Sequence, residues 1–368
     1  MHLFELSSQG FRNLSPDPVS FGAGVTLVAG ENAQGKSNLL EAVALVCGQR
    51  SFRGAAPAAM AADGQRFEIA ATVASRRGEE RIGVSWSKDG GRTFERSGKA
   101  AGFREISALA PAVFLAPEHR DLVTGSPADR RRFLDRLVVG MRPAAGDDLA
   151  RYATALRERN ALLARWKTAG AAGSDDELEA WTGELALAGA AVRRHRRAAL
   201  AVWETEFRPL AERAGGDFTE IRAAYTAASD SPEDIRAACR RVTALERRRG
   251  YSLAGPHRDD LAWTRRGRTL ASEASSGEIA RTVALARMAE WRAVASSAGE
   301  PPLFGVDDFD AGLSEASAAE FFDALPPEAA VVLTTASSPA RWANRAARVV
   351  EMRRGAASGA RALRAVQG

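Results

Sequence analysis

The residues best suited to chemistry form a glycine-rich loop near the start of the chain. An apolar run at residues 25 to 29 leads into the pattern Gly-x-x-x-x-Gly-Lys-Ser, which occupies residues 30 to 37. An amphipathic segment, residues 38 to 47, follows the loop. Strand, loop and helix in this order form the context that a phosphate-binding P-loop requires. A chance glycine-rich turn before a helix is the alternative, and both flanking segments disfavour it.

Each residue type in this loop has a chemical role in the pattern. Gly30 and Gly35 let the backbone approach phosphates closely, so that loop N–H groups and the helix N-terminus face the anion. Lys36 is expected to reach the β- and γ-phosphates, and the Ser37 hydroxyl is expected to bind Mg²⁺. The chain has only four lysines among 51 basic residues, and one of them occupies this position.

A pair of carboxylates near residue 307 is the second candidate. The apolar residues 301 to 306 form a predicted strand that Gly305 interrupts, and Asp307 and Asp308 follow it. In a P-loop protein the first carboxylate holds Mg²⁺, partly through water, and the second lies beside the attacking water. A turn or a helix cap is the alternative. A further apolar strand, residues 329 to 333, is followed by Thr334 and Thr335.

A serine-rich tetrad, residues 275 to 278, precedes a long predicted helix at about residues 277 to 295. Its sequence is Ser-Ser-Gly-Glu, and the spacing of Ser275 and Glu278 is also that of a plain capping box. Earlier in the chain, residues 67 to 74 and 81 to 87 alternate like strands, which indicates an antiparallel sheet beside the parallel one. The tail after Met352 is rich in Arg, Gly and Ala and is expected to fray.

The middle of the chain predicts a helical arm. From residue 147 to about residue 249 the periodicity is almost entirely helical, with short breaks that suggest antiparallel helices. Two arginine clusters lie there and are candidates for DNA phosphates: Arg193, Arg194, Arg196 and Arg197, and then Arg247, Arg248 and Arg249. For either cluster alone, a solvated helix face is the favoured alternative.

Composition limits the class of protein. The net charge of +5 permits nucleic-acid binding without demonstrating it. The two distant cysteines cannot build a disulfide framework or a zinc site by themselves. We expect an intracellular protein without a membrane partner, because the sequence has neither a signal-peptide pattern nor an apolar run of about 18 residues.

Several motifs occur in an order that resembles the RecF family of bacterial repair ATPases, which belongs to the ABC/SMC-type ATPases. The most specific are Gly-Ser-Pro-x-x-Arg-Arg-Arg-Phe-Leu-Asp at residues 125 to 135 and Gly-Pro-His-Arg-Asp-Asp at residues 255 to 260. The matching stretches are 11–13, 30–42, 51–53, 117–135, 159–163, 255–261, 275–278 and 307–308.

The resemblance implies an α/β fold: a P-loop ATPase head with mixed parallel and antiparallel sheets and an inserted antiparallel helical arm. The head would comprise residues 1–125 and 251–368, and the arm residues 126–250. It also implies catalytic roles for Lys36, Asp307 and Asp308, with Mg²⁺ bound by Ser37 and Asp307. The nucleotide-binding residues that it implies are Arg12, Asn13, Gly30, Glu31, Asn32, Ala33, Gln34, Gly35, Lys36, Ser37, Asn38, Ser275, Ser276, Gly277 and Glu278.

The function implied by the resemblance is ATP-dependent DNA repair. Such a protein forms a homodimer on binding ATP and Mg²⁺, with the serine-glycine tetrad of one subunit facing the ATP of the other. It acts on double-stranded and gapped DNA at single-strand/double-strand boundaries and helps RecR and RecO to load recombinase. Its slow, DNA-stimulated ATP hydrolysis serves as a timer, and its expected location is the cytoplasm, associated with the nucleoid.

One departure from the family pattern leaves an alternative open. Where the family has Ser-Glu-Leu-Asp after its acidic pair, this chain has Ala-Gly-Leu-Ser at residues 311 to 314. This difference favours a structural DNA clamp that binds ATP with little or no turnover. A small-molecule P-loop kinase is a further alternative. It is disfavoured because such an enzyme needs neither the tetrad nor the helical insertion. Other SMC-like heads carry much longer coiled coils, and sustained heptads are absent from this insertion.

Overall fold

The chain forms two compact units in the computed structural model, which describes residues 1–75, 78–169, 174–311, 313–325 and 329–362. The first, here called the head unit, comprises Met1–Arg120 and Ser275–Gly368. The second, the arm unit, comprises Asp121–Ala274. The predicted arm, residues 126–250, lies inside the arm unit, which extends further at both ends.

Secondary structure follows the chain in this order. The strands are β1 His2–Gln9, β2 Val19–Ser20, β3 Val25–Ala29, β4 Arg66–Ser75, β5 Gly78–Ser87, β6 Gly91–Arg96, β7 Lys99–Ala101, β8 Ala112–Leu115, β9 Ile221–Thr226, β10 Asp260–Arg265, β11 Arg268–Thr269, β12 Leu303–Val306, β13 Val331–Thr335, β14 Arg348–Arg353 and β15 Ala356–Ala362. The helices are α1 Lys36–Val46, α2 Pro57–Met60, α3 Phe103–Leu109, α4 Asp121–Thr124, α5 Pro127–Met141, α6 Gly146–Ala169, α7 Asp175–Ala214, α8 Pro232–Arg249, α9 Leu270–Glu273, α10 Ser276–Ala298 and α11 Glu315–Asp323.

The head unit contains two six-stranded sheets. One has the order β15-β14-β3-β13-β12-β8, in which β14, β3, β13, β12 and β8 are parallel and β15 is antiparallel to β14. All five residues of β3 are buried, as expected for a central strand of a parallel sheet. The other sheet is antiparallel, with the order β2-β1-β4-β5-β6-β7. The prediction of mixed parallel and antiparallel sheets is confirmed.

Gly305 does not interrupt its strand, so this detail of the prediction is wrong. It lies inside β12, which is continuous from Leu303 to Val306. A Cβ atom on Gly305 would lie 2.4 Å from the Phe114 ring and 2.9 Å from the Leu40 side chain. Glycine therefore lets helix α1 and strand β8 pack closely against β12.

The expectation that the tail frays after Met352 is also wrong for the residues that the structure describes. β14 continues to Arg353, and β15 pairs with it in an antiparallel hairpin through Ala362. The prediction failed because β14 pairs with β3, some 320 residues earlier in the chain. No local pattern reveals such a partner.

The arm unit is built from α6, α7 and α8, which share a buried apolar cluster. It also contains a small antiparallel sheet of the order β11-β10-β9. Helices α6, α7 and α8 bear out the prediction that residues 147 to 249 are almost entirely helical, and strand β9 is an exception to it. Its six residues alternate in burial and pair with β10, so a distant strand decides their conformation.

A fully buried ion pair ties the three long arm helices together. The Arg159 guanidinium on α6 donates to Glu246 on α8 at 2.6 Å and to Thr182 on α7 at 3.0 Å. Both charged side chains are 0% exposed. The Ser252 hydroxyl accepts a further bond from Arg159 at 2.8 Å. A pair buried to this degree depends on complete hydrogen bonding of both partners.

Arg159→Met is expected to destabilise the arm unit by about 3–5 kcal/mol, because it leaves the Glu246 carboxylate buried and unpaired. Adding Glu246→Gln should recover part of the loss by removing that charge. Arg157→Met, at a side chain that is 68% exposed on the same helix, should change stability by less than about 0.5 kcal/mol. Urea denaturation followed by circular dichroism measures all three. Equal effects at positions 157 and 159 would contradict this role.

Candidate nucleotide-binding site

The P-loop joins β3 to α1 and leaves an open helix N-terminus. Gly35 precedes α1 with φ +104° and acts as its N-cap, without a side-chain hydrogen bond to the first turn. No acidic residue occupies that turn. The first backbone N–H groups of a helix have no intrahelical acceptor, and the helix dipole is positive there. The geometry therefore suits an anion at Lys36 and Ser37.

Lys36 is buried inside this loop, with only 4% of its surface exposed. Its Nζ donates to the Glu31 carbonyl oxygen, 2.9 Å away. An ammonium group removed from water needs oxygen atoms around it. The fold provides one carbonyl and leaves the remaining donors of Nζ for an anion.

Asp307 and Asp308 follow β12 at the edge of the sheet where β3 ends in the P-loop. Asp307 is buried, and its Oδ1 accepts the Thr334 hydroxyl at 2.7 Å. The same Thr334 oxygen accepts the Asp308 backbone N–H at 2.8 Å. Because β12 and β13 are parallel neighbours, Thr334 fixes the direction of both aspartates.

Asp308 is the strained member of the pair. Its φ of +44° lies in the left-handed region, and its buried Oδ1 has no hydrogen-bond partner among the residues that the structure describes. Burial and the neighbouring Asp307 charge raise the pKa of the Asp308 carboxyl, while Lys36 opposes that rise. Backbone strain and a buried carboxylate oxygen that the protein leaves unbonded are typical of functional positions, and the role of Asp308 beside the attacking water stays a prediction.

The residues present fit Mg²⁺ only together with phosphates. In the described part of the chain, no group of three or more His, Cys, Asp or Glu side chains could hold a metal by itself. The predicted ligands, Ser37 and Asp307, would provide two oxygen atoms. Mg²⁺ usually completes its octahedral shell with water and substrate phosphates, so two protein ligands are sufficient.

Arg12 lies beside the loop but binds protein atoms. Its Nε and Nη2 donate to the Glu41 carboxylate at 3.0 and 3.2 Å, and its Nη1 donates to the Ala59 carbonyl oxygen at 3.1 Å. Glu41 is fully buried and also accepts the Ser51 hydroxyl. Arg12 thus anchors helix α1 in this structure, and a direct contact with nucleotide stays a prediction.

Asn13 and Asn38 brace the loop from the side. The Asn38 amide donates to Asn13 Oδ1 at 2.7 Å, and Arg53 donates to Asn38 Oδ1 at 3.1 Å. Gly30 is required on the other side, because a Cβ there would lie 2.6 Å from the Met352 carbonyl oxygen. The remaining predicted loop residues, Glu31, Asn32 and Ala33, are exposed, and Gln34 is partly exposed.

Several contacts that hold this site in place are not evident from the sequence. The sequence indicates Thr334 only as the polar end of an apolar strand, although that position is itself the signal for its role. Glu41 gives no signal, because its partner Arg12 is distant in sequence. Gln34 is among the predicted loop residues, but nothing in the sequence indicates that its side chain accepts the Arg354 N–H, some 320 residues later.

The tetrad at residues 275 to 278 opens helix α10 as predicted. Ser275 and Glu278 form a capping box: the Ser275 side chain accepts the Glu278 N–H, and the Glu278 carboxylate accepts the Ser275 N–H. The Ser276 hydroxyl accepts a bond from Arg120 at 3.1 Å. The capping box uses two of the four residues, so it does not conflict with a nucleotide role for Ser276 and Gly277.

The first arginine cluster is largely internal. Arg193 is buried and binds Asp259 through Nε and Nη2 at 2.9 and 2.6 Å. Arg196 is buried and binds Asp135 at 2.8 and 3.0 Å. The prediction that Arg193 and Arg196 bind DNA is therefore wrong, because these guanidinium groups neutralise carboxylates inside the arm unit. Arg194 is exposed, and Arg197 is exposed and paired with Asp230.

The second cluster lies at the C-terminal end of α8. Arg247 pairs with Asp175 and lies over the Trp166 ring, 4.3 Å from its centroid. Arg248 and Arg249 are exposed. The prediction of DNA contacts stays open for Arg194, Arg197 and Arg247 to Arg249.

Comparison with known proteins agrees with this geometry. A family model described as an AAA domain matches residues 5–106. "DNA replication and repair protein RecF" of Deinococcus deserti is 33% identical over 92% of this chain and 91% of its own length. The protein of the same name from Deinococcus radiodurans is 35% identical over 85% and 84%.

Solved structures show the same fold. "Structure of the recombination mediator protein RecF-ATP in RecFOR pathway" has a TM-score of 0.88 and 24% identity over 97% of both chains. "Crystal structure of the SmcHead bound to the C-winged helix domain of ScpA" has a TM-score of 0.58 and 16% identity over 99% of this chain and 98% of the other.

Fold and site together define an ABC/SMC-type P-loop ATPase head with an inserted arm. The P-loop after β3, the acidic pair at the end of β12 and the mixed sheets all belong to that class. The chain belongs to the RecF family of DNA replication and repair proteins. In the part of the chain that the structure describes, no helix is long and apolar enough to cross a membrane.

Asp308→Asn is expected to retain MgATP binding and to slow hydrolysis about a hundredfold, because the amide cannot accept a proton from water. Asp307→Asn should weaken Mg²⁺ binding as well. Because burial raises the pKa of the Asp308 carboxyl, the acid limb of the parent pH–rate profile should lie at a higher pH than an ordinary aspartate would give. Steady-state phosphate release and nucleotide titrations measure these effects. Turnover by Asp308→Asn at the parent rate would assign the water to another residue.

Proposed function

We propose that this chain is an ATP-dependent DNA-binding repair protein that dimerises on ATP and hydrolyses it slowly. The observation that carries the proposal is the buried Lys36 at the same sheet edge as Asp308, whose buried carboxylate oxygen has no partner among the described residues. A RecF relative of the same fold is described as bound to ATP.

In this proposal each site residue has one task. Lys36 and the N–H groups at the start of α1 bind the β- and γ-phosphates. Ser37 and Asp307 hold Mg²⁺, which neutralises phosphate charge when bound. Asp308 orients the attacking water, and Thr334 keeps both aspartates in place. Charge neutralisation and positioning account for most catalysis of phosphoryl transfer.

The tetrad at residues 275 to 278 serves the ATP of a second subunit. Ser276 and Gly277 begin α10, whose N-terminus favours an anion just as α1 does. The family resemblance assigns this helix to the partner's nucleotide. ATP then joins two copies in a two-fold dimer.

DNA is the proposed partner of the exposed arginines. Arg194, Arg197, Arg248 and Arg249 suit phosphates and do not read bases. The proposed substrate is gapped DNA at single-strand/double-strand boundaries, where the protein works with RecR and RecO to load recombinase. A RecF structure is described as belonging to the RecFOR pathway, which supports these partners.

A structural clamp with little or no ATP turnover is the second candidate. Residues 311 to 314 differ from the family pattern Ser-Glu-Leu-Asp, and Gly312 lies outside the described residues. Ser314 is the N-cap of α11, and its side chain accepts the Ser317 N–H at 3.2 Å. A serine used as a cap cannot supply the charge of the family's aspartate. Phosphate release with and without DNA separates the two candidates.

Ser276→Arg is expected to keep ATP binding within about twofold and to abolish ATP-driven dimerisation, because the new side chain occupies the space of the partner's phosphates. Lys36→Ala should lose ATP binding itself. Size-exclusion chromatography with light scattering, with and without MgATP, measures both. Dimerisation of Ser276→Arg at the parent level would leave the tetrad as a helix cap only.

Replacing Arg248 and Arg249 by Ala is expected to weaken binding to unrelated gapped DNA sequences alike and to lower the slope of log affinity against log salt. Removing one arginine–phosphate ion pair should reduce the magnitude of that slope by about 0.9 for duplex DNA. Arg213→Ala, an exposed arginine outside both clusters, is the matched control. An unchanged slope in the double variant would place the DNA site elsewhere.

A further inference from the structure

The C-terminal hairpin turns sharply beside the P-loop. Arg353 pairs with Ala356, so Arg354 and Gly355 alone form the turn between β14 and β15. Their φ values are +48° and +84°. Two-residue turns with positive φ at both positions favour Asn, Asp or Gly at the first position, where a side chain with Cβ is strained. Arginine is therefore an unexpected residue at position 354.

The backbone of this turn is fixed against the P-loop. The Arg354 N–H donates to Gln34 Oε1 at 2.6 Å, and the Gly355 N–H donates to the Gln34 carbonyl oxygen at 2.9 Å. The Gly355 carbonyl oxygen accepts the Ser15 N–H at 2.9 Å. A Cβ on Gly355 would lie 1.7 Å from the Asn13 carbonyl oxygen. Gln34 directly precedes Gly35 and Lys36, so the base of the Arg354 side chain is held at the phosphate-binding segment.

Two other hairpin turns provide an internal comparison. The turns Ser97-Gly98 and Arg266-Gly267 also have two residues, and φ is positive at both positions with similar values. In both, the first side chain binds acidic groups of the protein. The Ser97 hydroxyl donates to Glu80 at 2.7 Å, and Arg266 donates to Glu220 and Asp217 at 3.1 and 3.0 Å.

The Arg354 side chain differs from both. It is exposed, and among residues 1–75, 78–169, 174–311, 313–325 and 329–362 its guanidinium has no hydrogen-bond or ion-pair partner. The turn thus keeps a strained arginine whose side-chain charge binds no group among the described residues. Strain held beside a ligand site is a reason to look for a ligand contact.

We propose that Arg354 binds a phosphate of the nucleoside triphosphate held by the P-loop. This inference rests on the proposed function, because it assumes that the loop binds ATP. A guanidinium group makes charge-assisted, often bidentate bonds to phosphate oxygens. The hairpin is therefore part of the nucleotide site, with Gly355 allowing the close approach and Arg354 adding a positive charge that the P-loop motif does not include.

Arg354→Asn separates this function from folding. Asn is favoured at the first position of such a turn, so the apo protein should melt at the same temperature or higher. ATP affinity should nevertheless fall about tenfold through the loss of one bond to a charged group. Arg354→Lys should restore part of the affinity. Arg353→Asn, at a neighbouring side chain that is 78% exposed, is the matched control and should bind ATP as the parent does.

The probes are MgATP, MgADP, adenosine and inorganic tripolyphosphate, each titrated by calorimetry at two salt concentrations. A contact with phosphate predicts weaker ATP and tripolyphosphate binding by Arg354→Asn, with a smaller salt dependence. Unchanged ATP affinity, or a loss with adenosine alone, would overturn the proposal. Lys36→Ala keeps the two questions apart: if it loses ATP binding while Arg354→Asn does not, the proposed function stands and the inference about Arg354 fails.

Discussion

A buried ammonium group is the constraint on which the head unit depends. Lys36 is 4% exposed, and a charge removed from water must be surrounded by oxygen atoms. The loop provides the Glu31 carbonyl, and Asp308 is close enough for Lys36 to affect the pKa of its carboxyl. Parallel strand order makes this possible, because the carboxyl ends of β3, β13 and β12 meet at one edge of the sheet. A bound triphosphate would complete the oxygen shell around the lysine.

Close backbone packing holds that site in shape. Two segments pack against the P-loop: residues 12 to 15, and the turn between β14 and β15. Glycine is needed where they touch, since a Cβ on Gly30 or Gly355 would overlap a carbonyl oxygen. The C-terminal hairpin therefore packs directly against the P-loop, although it follows the loop by some 320 residues.

The arm unit depends on buried guanidinium groups. Arg159, Arg193 and Arg196 each bind a carboxylate from a distant part of the sequence. Such pairs are costly to break because the remaining charge stays buried. Basic residues in this unit thus fall into two groups: those that hold its elements together, and those at its surface that remain available to a polyanion.

The sequence by itself determined the P-loop, its strand and helix, the acidic strand end and the mixed α/β class, because local spacing and periodicity encode them. The sequence also identified the family, because the order of the motifs along the chain does not depend on the three-dimensional structure. The features that depend on partners distant in sequence were visible only in the tertiary structure. Arg193 and Arg196 are buried because they pair with Asp259 and Asp135. Residues 221 to 226 form a strand because they pair with β10. Likewise, pairing with β3 ordered β14 and, through it, the tail that was expected to fray. In each case the deciding contact joins residues far apart in sequence, so no local pattern could reveal it.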